Sequence, residues 1–508
     1  MSNSKQLAKN TAAQTASFGL IILVSFFLTT YIVEKIGTEV YGFVGLANNI
    51  TSYVVVFTVA INSLANRYIT IEYVKKDYTS ANRYFSSVTA ANVAVVGIIF
   101  VPAVILLLNL EKVINIPPEF ITDVKILWAF VFLMFGCTLA FGRMEVATFA
   151  HNRIDLHAVR TMESNIVKVI ILVVLFGFFA PKVYFVGVSA FICSLYMILA
   201  NAHYMKKLTP ELKFSKKLID TGALKEMLTV GIWNSANQMS QMLFNGLDLL
   251  IANLFIGAAG MGLMSISKTI PLHLVTFVGM IAGAFYPAMT ISYAKENKED
   301  FIKETNFATG VCGFICAVPV VGVMVFGGHF YKLWLPSLTS AEVITVQILS
   351  VMALLPQYFS MYLFPLYQVN TLTCKLKVPS VINIVLGVVN VVTVFLLLKF
   401  TDLGLYAIAG VSSLLLIIRI VLFVPMYAAH SLKKSFKTFY PPLLRGMIFN
   451  GLLILLFGLT SRFVTEGSIL SFLLWAGISG VAGYLIGLPI MFKKEDFGKV
   501  RNVFKKGK

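Results

Sequence analysis

Trp233–Leu250 reads WNSANQMSQMLFNGLDLL, with three Asn, two Gln, two Ser and one Asp between long apolar runs. What that polarity means depends on the chain around it. Apolar residues fill 58% of 508 positions, charged residues 13%, and mean hydropathy is +0.84. Soluble domains carry about 25% charged residues. Apolar runs near the ~20 residues that cross a bilayer as a helix recur along the chain. Ten-residue alternating strands, the mark of a membrane barrel, are absent. The sequence therefore specifies an all-α integral membrane protein.

Fourteen spans are expected: 11–33, 40–70, 82–109, 121–150, 159–180, 183–205, 228–255, 260–293, 303–330, 341–371, 379–399, 403–427, 442–462 and 468–491. The first follows Lys5 and Lys9 and shows no small-residue cleavage site, so it reads as a retained span and not a signal peptide. With the N-terminus inside, cytoplasmic segments hold 29 of the 41 Lys/Arg. The outer loops and the outer ends of the spans hold seven, Lys35, Lys112, Lys125, Lys182, Lys332, Lys399 and Arg462. This bias places both termini in the cytoplasm. It also explains most of the net charge of +18 without a nucleic-acid partner. The tail KVRNVFKKGK either touches anionic membrane lipid or simply completes the inside-positive pattern. Of the five cysteines, most fall inside apolar runs and read as packing residues.

The longest polar break, 206–227, carries six Lys and acts as a basic cytoplasmic linker. A second basic break near 431–441 divides the rest. The expected units are an N-lobe 1–205 (spans 1–6), a C-lobe 228–430 (spans 7–12), spans 13–14 in 431–492, and a basic tail 493–508. NTAAQ (Asn10–Gln14) matches NSANQ (Asn234–Gln238), and IGTEVYG (Ile36–Gly42) matches IGAAGMG (Ile256–Gly262), in the same order. Both halves start inside, so the repeat is parallel. Two six-helix lobes around a central cavity, with two extra C-terminal helices, follow.

The polar first span and the following YIVEKIGTEVYGFVGLANNI (Tyr31–Ile50) resemble the polysaccharide-transporter branch of the multidrug/oligosaccharidyl-lipid/polysaccharide (MOP) exporter superfamily. That branch includes the O-antigen and capsule-unit flippases and is related to the lipid II flippase. Its L-G-x-x-x-Y-G-like turn is matched at Ile36, Gly37, Tyr41 and Gly42, with Ile for Leu. The length and the 6 + 6 + 2 layout match over nearly the whole chain. The resemblance implies a cationic lumen, exchange between inward- and outward-open states, and a bacterial cytoplasmic membrane.

Asn234, Asn237, Gln238, Gln241, Asn245 and Asp248 form one stripe on a regular helix, opposite Met239, Leu243, Phe244, Leu247 and Ile251. Such a stripe faces a watery cavity or a partner helix that it holds by hydrogen bonds. Carboxamides offer donor and acceptor together, which suits sugar hydroxyls. Asn10, Gln14 and Ser17 form a weaker counterpart in the first span, and Asn62 and Asn66 lie in the second. Each charge at the membrane centre costs at least ~2.5–3.5 kcal/mol and needs a reason. Lys168 and Arg419 are central to their spans and are substrate candidates. Lys268 and Asp248 lie at similar depth, either paired as a latch or used for binding. Arg143 and Glu145 lie nearer the cytoplasmic end of span 4, Arg67 ends span 2, and Glu163 is a loose neighbour of Lys168. These groups number five cations against three acids. That suits a lipid-linked pyrophosphate better than an organic cation. Pro102, Pro271, Pro287, Pro356 and Pro365 mark kinks or hinges.

No Walker loop, H-E-x-x-H or G-x-S-x-G motif occurs, and no catalytic, cofactor-binding or metal-binding residues are expected. A carrier of an undecaprenyl-pyrophosphate-linked oligosaccharide is expected, with other polysaccharide assembly proteins as partners. Its lipid tail would remain between the lobes or along spans 13 and 14. The alternatives are a multidrug antiporter coupled to Na+ or H+, and a membrane glycan polymerase or transferase.

Overall fold

The computed structural model describes residues 3–294, 298–373 and 375–492. The basic tail lies outside them. The described residues contain helices and no strand. Each of the 14 expected spans coincides with helix, and thirteen helices are long and apolar enough to cross a membrane. The exception is the segment that carries the polar stretch, which is broken at its centre.

Contacts divide the chain into two compact units, 1–262 with 383–388, and 263–382 with 389–508. The first holds α1 (Asn3–Ile36), α2 (Thr38–Val74), α3 (Tyr78–Leu108) and the short α4 (Leu110–Val113). Span 4 is built of α5 (Ile121–Phe141), a 3-10 segment Gly142–Glu145 and α6 (Val146–Ala150). Then come α7 (Ile154–Phe178), α8 (Tyr184–Leu208), α9 (Thr221–Gln241), a π turn Met242–Gly246, and α10 (Asp248–Phe255). The contact boundary thus falls at Gly262, beyond the 206–227 linker, and α9–α10 pack with the first unit.

Small residues permit that packing. A Cβ on Gly231 would lie 1.8 Å from the Ala60 carbonyl oxygen, so α9 and α2 cross almost backbone to backbone. Close approach through glycine is how membrane helices gain dispersion contact without a hydrophobic drive. The glycines of the repeated Ile-Gly pairs have a different job, which is conformational. Gly37 and Gly257 both take positive φ, 84° and 109°, which permits the reversal between spans at little steric cost. The last glycines of the two motifs meet: a Cβ on Gly262 would come 2.4 Å from the Thr38 carbonyl oxygen. Loop geometry is fixed locally as well. Asp77 caps α3 by accepting from Ser80 N at 3.0 Å, which lowers its carboxyl pKa.

The second unit contains most of α11 (Ala258–Gly283), followed by α12 (Tyr286–Ala294), α13 (Lys298–Trp334), α14 (Ser340–Ser360) and α15 (Leu366–Leu372). It continues with α16 (Lys377–Phe400), α17 (Leu405–Ile418), a π turn Arg419–Phe423, α18 (Val424–Ser431), α19 (Tyr440–Ser461) and α20 (Ile469–Met491). The last two spans pack on α13 through Phe314, Phe449 and Phe457. At the centre, buried Tyr362 fits against Gly313 and Gly446 and donates to Asn450 Oδ1 at 2.7 Å. Pro287 and Pro365 stand at helix starts, where a missing N–H costs little, whereas Pro102, Pro271 and Pro356 are inside helices.

Candidate substrate-binding site

The polar stretch leaves regular register at its middle. The π turn Met242–Gly246 inserts one extra residue, which rotates all that follows by about 100° relative to an unbroken helix. The single stripe from Asn234 to Asp248 is therefore split. Its first part turns to α2: Asn234 Nδ2 donates to Ser63 Oγ at 3.0 Å, and Ser235 Oγ donates to the Val56 carbonyl at 2.8 Å. Gln241 and Asn245 are exposed, and Asn237 and Gln238 are half-buried. Asp248, beyond the turn, is buried. The Gly246 carbonyl in the π turn is taken by Asn49 Nδ2 at 3.1 Å and Tyr53 Oη at 2.6 Å, both from α2. At the far end of α10, Asn253 and Asn115 exchange three hydrogen bonds of 2.8–3.0 Å. The sequence marked none of Asn49, Tyr53, Ser63, Asn115 or Asn253.

A second cluster meets the same turn of α2. Asn62 and Asn92 exchange side-chain hydrogen bonds at 3.0 Å. Arg143, in the 3-10 segment, is 19% exposed. Its guanidinium offers five N–H donors. Among the described residues these find only the Asn62 carbonyl at 3.3 Å and Glu145 at 3.4 Å. Asn66 Nδ2 donates to the same Glu145 at 3.4 Å, while Asn66 Oδ1 is buried with no hydrogen-bond partner. Asn92 could have been picked out as the carboxamide nearest the middle of span 3, since a polar group there needs a protein partner.

The remaining candidates separate. Lys168, on α7, is half-buried, with the Cys193 thiol of α8 as its electrostatic neighbour. Among the described residues it makes no hydrogen bond or ion pair. Glu163 is engaged with Arg160 at 2.5 Å and with the Tyr196 hydroxyl. Arg160 lies in the first two turns of α7. Lys268 and Arg419 belong to the second unit. Arg419 is buried in a π turn and donates through Nη2 to Tyr367 Oη at 3.1 Å. Asn10 is buried as a brace: it donates to Asn152 and accepts from the Asp155 backbone.

Residues 7–292 match the polysaccharide biosynthesis protein family. The chain belongs to that family. It is 28% identical over 421 residues to the membrane protein EpsK of Bacillus subtilis (strain 168), covering 83% of this chain and 82% of that one. Its fold is similar to the inward closed lipid II flippase MurJ, with a TM-score of 0.64, 13% identity, and 94% and 97% of the two chains covered. It is similar too to an inward-facing multidrug resistance MATE family transporter of the MOP superfamily, with a TM-score of 0.61, 16% identity, and 82% and 96% covered. The protein is thus a multi-pass membrane protein with the all-α fold of these transporters.

Proposed function

We propose that the protein is a flippase of the bacterial cytoplasmic membrane, not an enzyme, that translocates an undecaprenyl-pyrophosphate-linked oligosaccharide by alternating access for surface polysaccharide assembly. The observation that carries this reading is Arg143. A guanidinium held inside a membrane span with two long contacts has donors left for an anionic ligand. Asn66 beside Glu145 supplies a carboxamide of the kind that binds sugar hydroxyls, and the reciprocal Asn62–Asn92 pair holds α2 and α3 beside it. Lys168 adds a second cation farther into the first unit. Arg419 and Lys268 serve the second unit in the same reading, and the exposed Gln241 and Asn245 add polar groups to the first.

Glu145 and Glu163 both lie beside arginines, at 3.4 and 2.5 Å. An exporter of organic cations needs a carboxylate free to receive them, so this arrangement favours an anionic cargo. The test is a flipping assay in proteoliposomes with an isoprenoid-pyrophosphate-linked oligosaccharide. Wild type should move it, and Arg143→Gln should insert normally and move it at least about tenfold more slowly, since a charged hydrogen bond is worth ~1.5–3 kcal/mol. Equal rates with and without wild-type protein would refute the reading.

A further inference from the structure

An apolar groove lies within the first unit, between α1 and α7, with a volume of about 620 Å³. Ala16, Gly19, Leu20 and Leu23 form one wall; Val159, Met162, Glu163 and Ile166 form the other. The volume falls within the ~300–1,000 Å³ typical of sites that hold a small molecule. Seven of the eight lining residues are apolar, and Leu23 and Ile166 are 67% and 47% exposed at its edge. Gly19 deepens it: nothing lies within 4 Å of where its Cβ would be.

The one polar lining residue, Glu163, holds a cation in place through Oε2. Arg160 Nη1 contacts Glu163 and the Tyr196 hydroxyl, and Nε donates to the Tyr204 hydroxyl at 3.1 Å. Among the described residues Nη2 makes no hydrogen bond. Arg160 is six residues past Ile154, about 9 Å along the helix at 1.5 Å per residue, which is the depth of a headgroup boundary. Nearer the ends of the two helices, Lys9 and Arg153 both reach Asp155, at 3.1 and 3.0 Å. The inner end of the groove is therefore net cationic, three cations against two acids. The other end is apolar.

We infer that this groove receives the isoprenoid chain of the anionic lipid substrate, with its pyrophosphate end at Arg160 Nη2. This rests on the flippase reading and on a cytoplasmic N-terminus. The charge order matches: anion at the inner rim, hydrocarbon running outward along Val159 to Ile166. The occupant is the substrate's own chain, taken from the inner leaflet alongside α1 and not along the last two spans.

Gly19→Leu tests it without endangering the fold, because the site is open and leucine is a better helix former than glycine. Two photoactivatable lipids are used, a diazirine-tagged isoprenoid pyrophosphate and a diazirine-tagged phosphatidylglycerol. Labelled peptides are mapped in membranes, and flipping is measured on the same preparations. The isoprenoid probe should label residues 16–23 and 159–166, and Gly19→Leu should cut both labelling and flipping about tenfold at unchanged protein amount. Tenfold corresponds to two carbons of displaced chain. Labels mapped elsewhere, or normal flipping by a well-expressed Gly19→Leu protein, would overturn the groove while leaving the flippase reading intact. Equal labelling by phosphatidylglycerol that the isoprenoid lipid cannot displace would make the occupant bulk lipid and overturn it too. A wild type that flips nothing yet takes the isoprenoid label in the groove would sink the flippase reading and keep the site.

Discussion

Gly231→Ala is the sharpest test of how α9 is seated in the first unit. The added Cβ would be 1.8 Å from the Ala60 carbonyl oxygen and 3.0 Å from Ala60 Cα, so it meets backbone that no rotamer can move aside. Restoring a carbon–oxygen contact of ~3.3 Å requires the helices to part by about 1.5 Å. The Ser235–Val56 and Asn234–Ser63 hydrogen bonds, now 2.8 and 3.0 Å, would then exceed hydrogen-bonding length. Overpacking costs ~1–3 kcal/mol. Two lost interhelical bonds add about 0.6 kcal/mol each on membrane-protein scales. The sum is about 2–4 kcal/mol, or an apparent melting point lowered by roughly 2–4 °C in a chain of this length. Fluorescence-detected size exclusion of heated, detergent-solubilised protein reads this directly. The control is Gly19→Ala, where the space is open and the change should be neutral or slightly stabilising. Identical melting of Gly231→Ala and wild type would refute the close α2–α9 crossing.

Arg143→Lys should retain more transport than Arg143→Gln, because charge survives although the planar fork is lost; surface glycan and protein amount measured together decide it. Cysteines at 241 and 245 should react with small water-soluble thiol reagents, and a cysteine at buried 244 should not; equal reaction would mean that the stretch has no selectively wet face. Asn253→Ala leaves Asn115 without its side-chain acceptor and one of its donors, and should cost about 1–3 kcal/mol in detergent stability. Reporter fusions at Lys216 and Lys434 should report cytoplasm, and one near Lys182 the outside; two reversed signals would overturn the orientation.

The fold was largely legible because hydropathy and length dictate spans directly, and all fourteen coincide with helix. The repeat was legible for a reason visible at Gly37 and Gly257: only residues tolerant of positive φ make that reversal, so both motifs keep glycine. The site was less so. An ideal 3.6-residue helix put Asn234 and Asp248 on one face, but the π turn between them leaves no composition signature that a periodicity argument can detect. Asn10 looked like a cavity residue because its partner, Asn152, is 142 positions away in the chain. Long-range partners and local backbone irregularity, neither of which hydropathy encodes, account for these misses.

Backbone irregularity supplies a second criterion for the charges that the sequence picked out. Within a bilayer, departures from regular helix persist only where protein buries them or where they line a wet space. Arg143 sits in a 3-10 segment, Arg419 opens a π turn, and Asp248 lies two residues beyond another. Three charges in three different spans thus coincide with the breaks in those spans. Charge and irregular backbone each carry a cost in lipid, and each is tolerated when a polar environment surrounds it, so their coincidence has one physical cause. Lys168 does not share it: α7 is regular through that position. Its half-buried ammonium must be compensated by side-chain placement alone, with the Cys193 thiol as a poor substitute for an anion. The two cations should therefore answer differently to the same change. Lys168→Gln removes a desolvation cost and should raise thermal stability while lowering transport. Arg143→Gln strands Glu145 with one long carboxamide contact and should lower both.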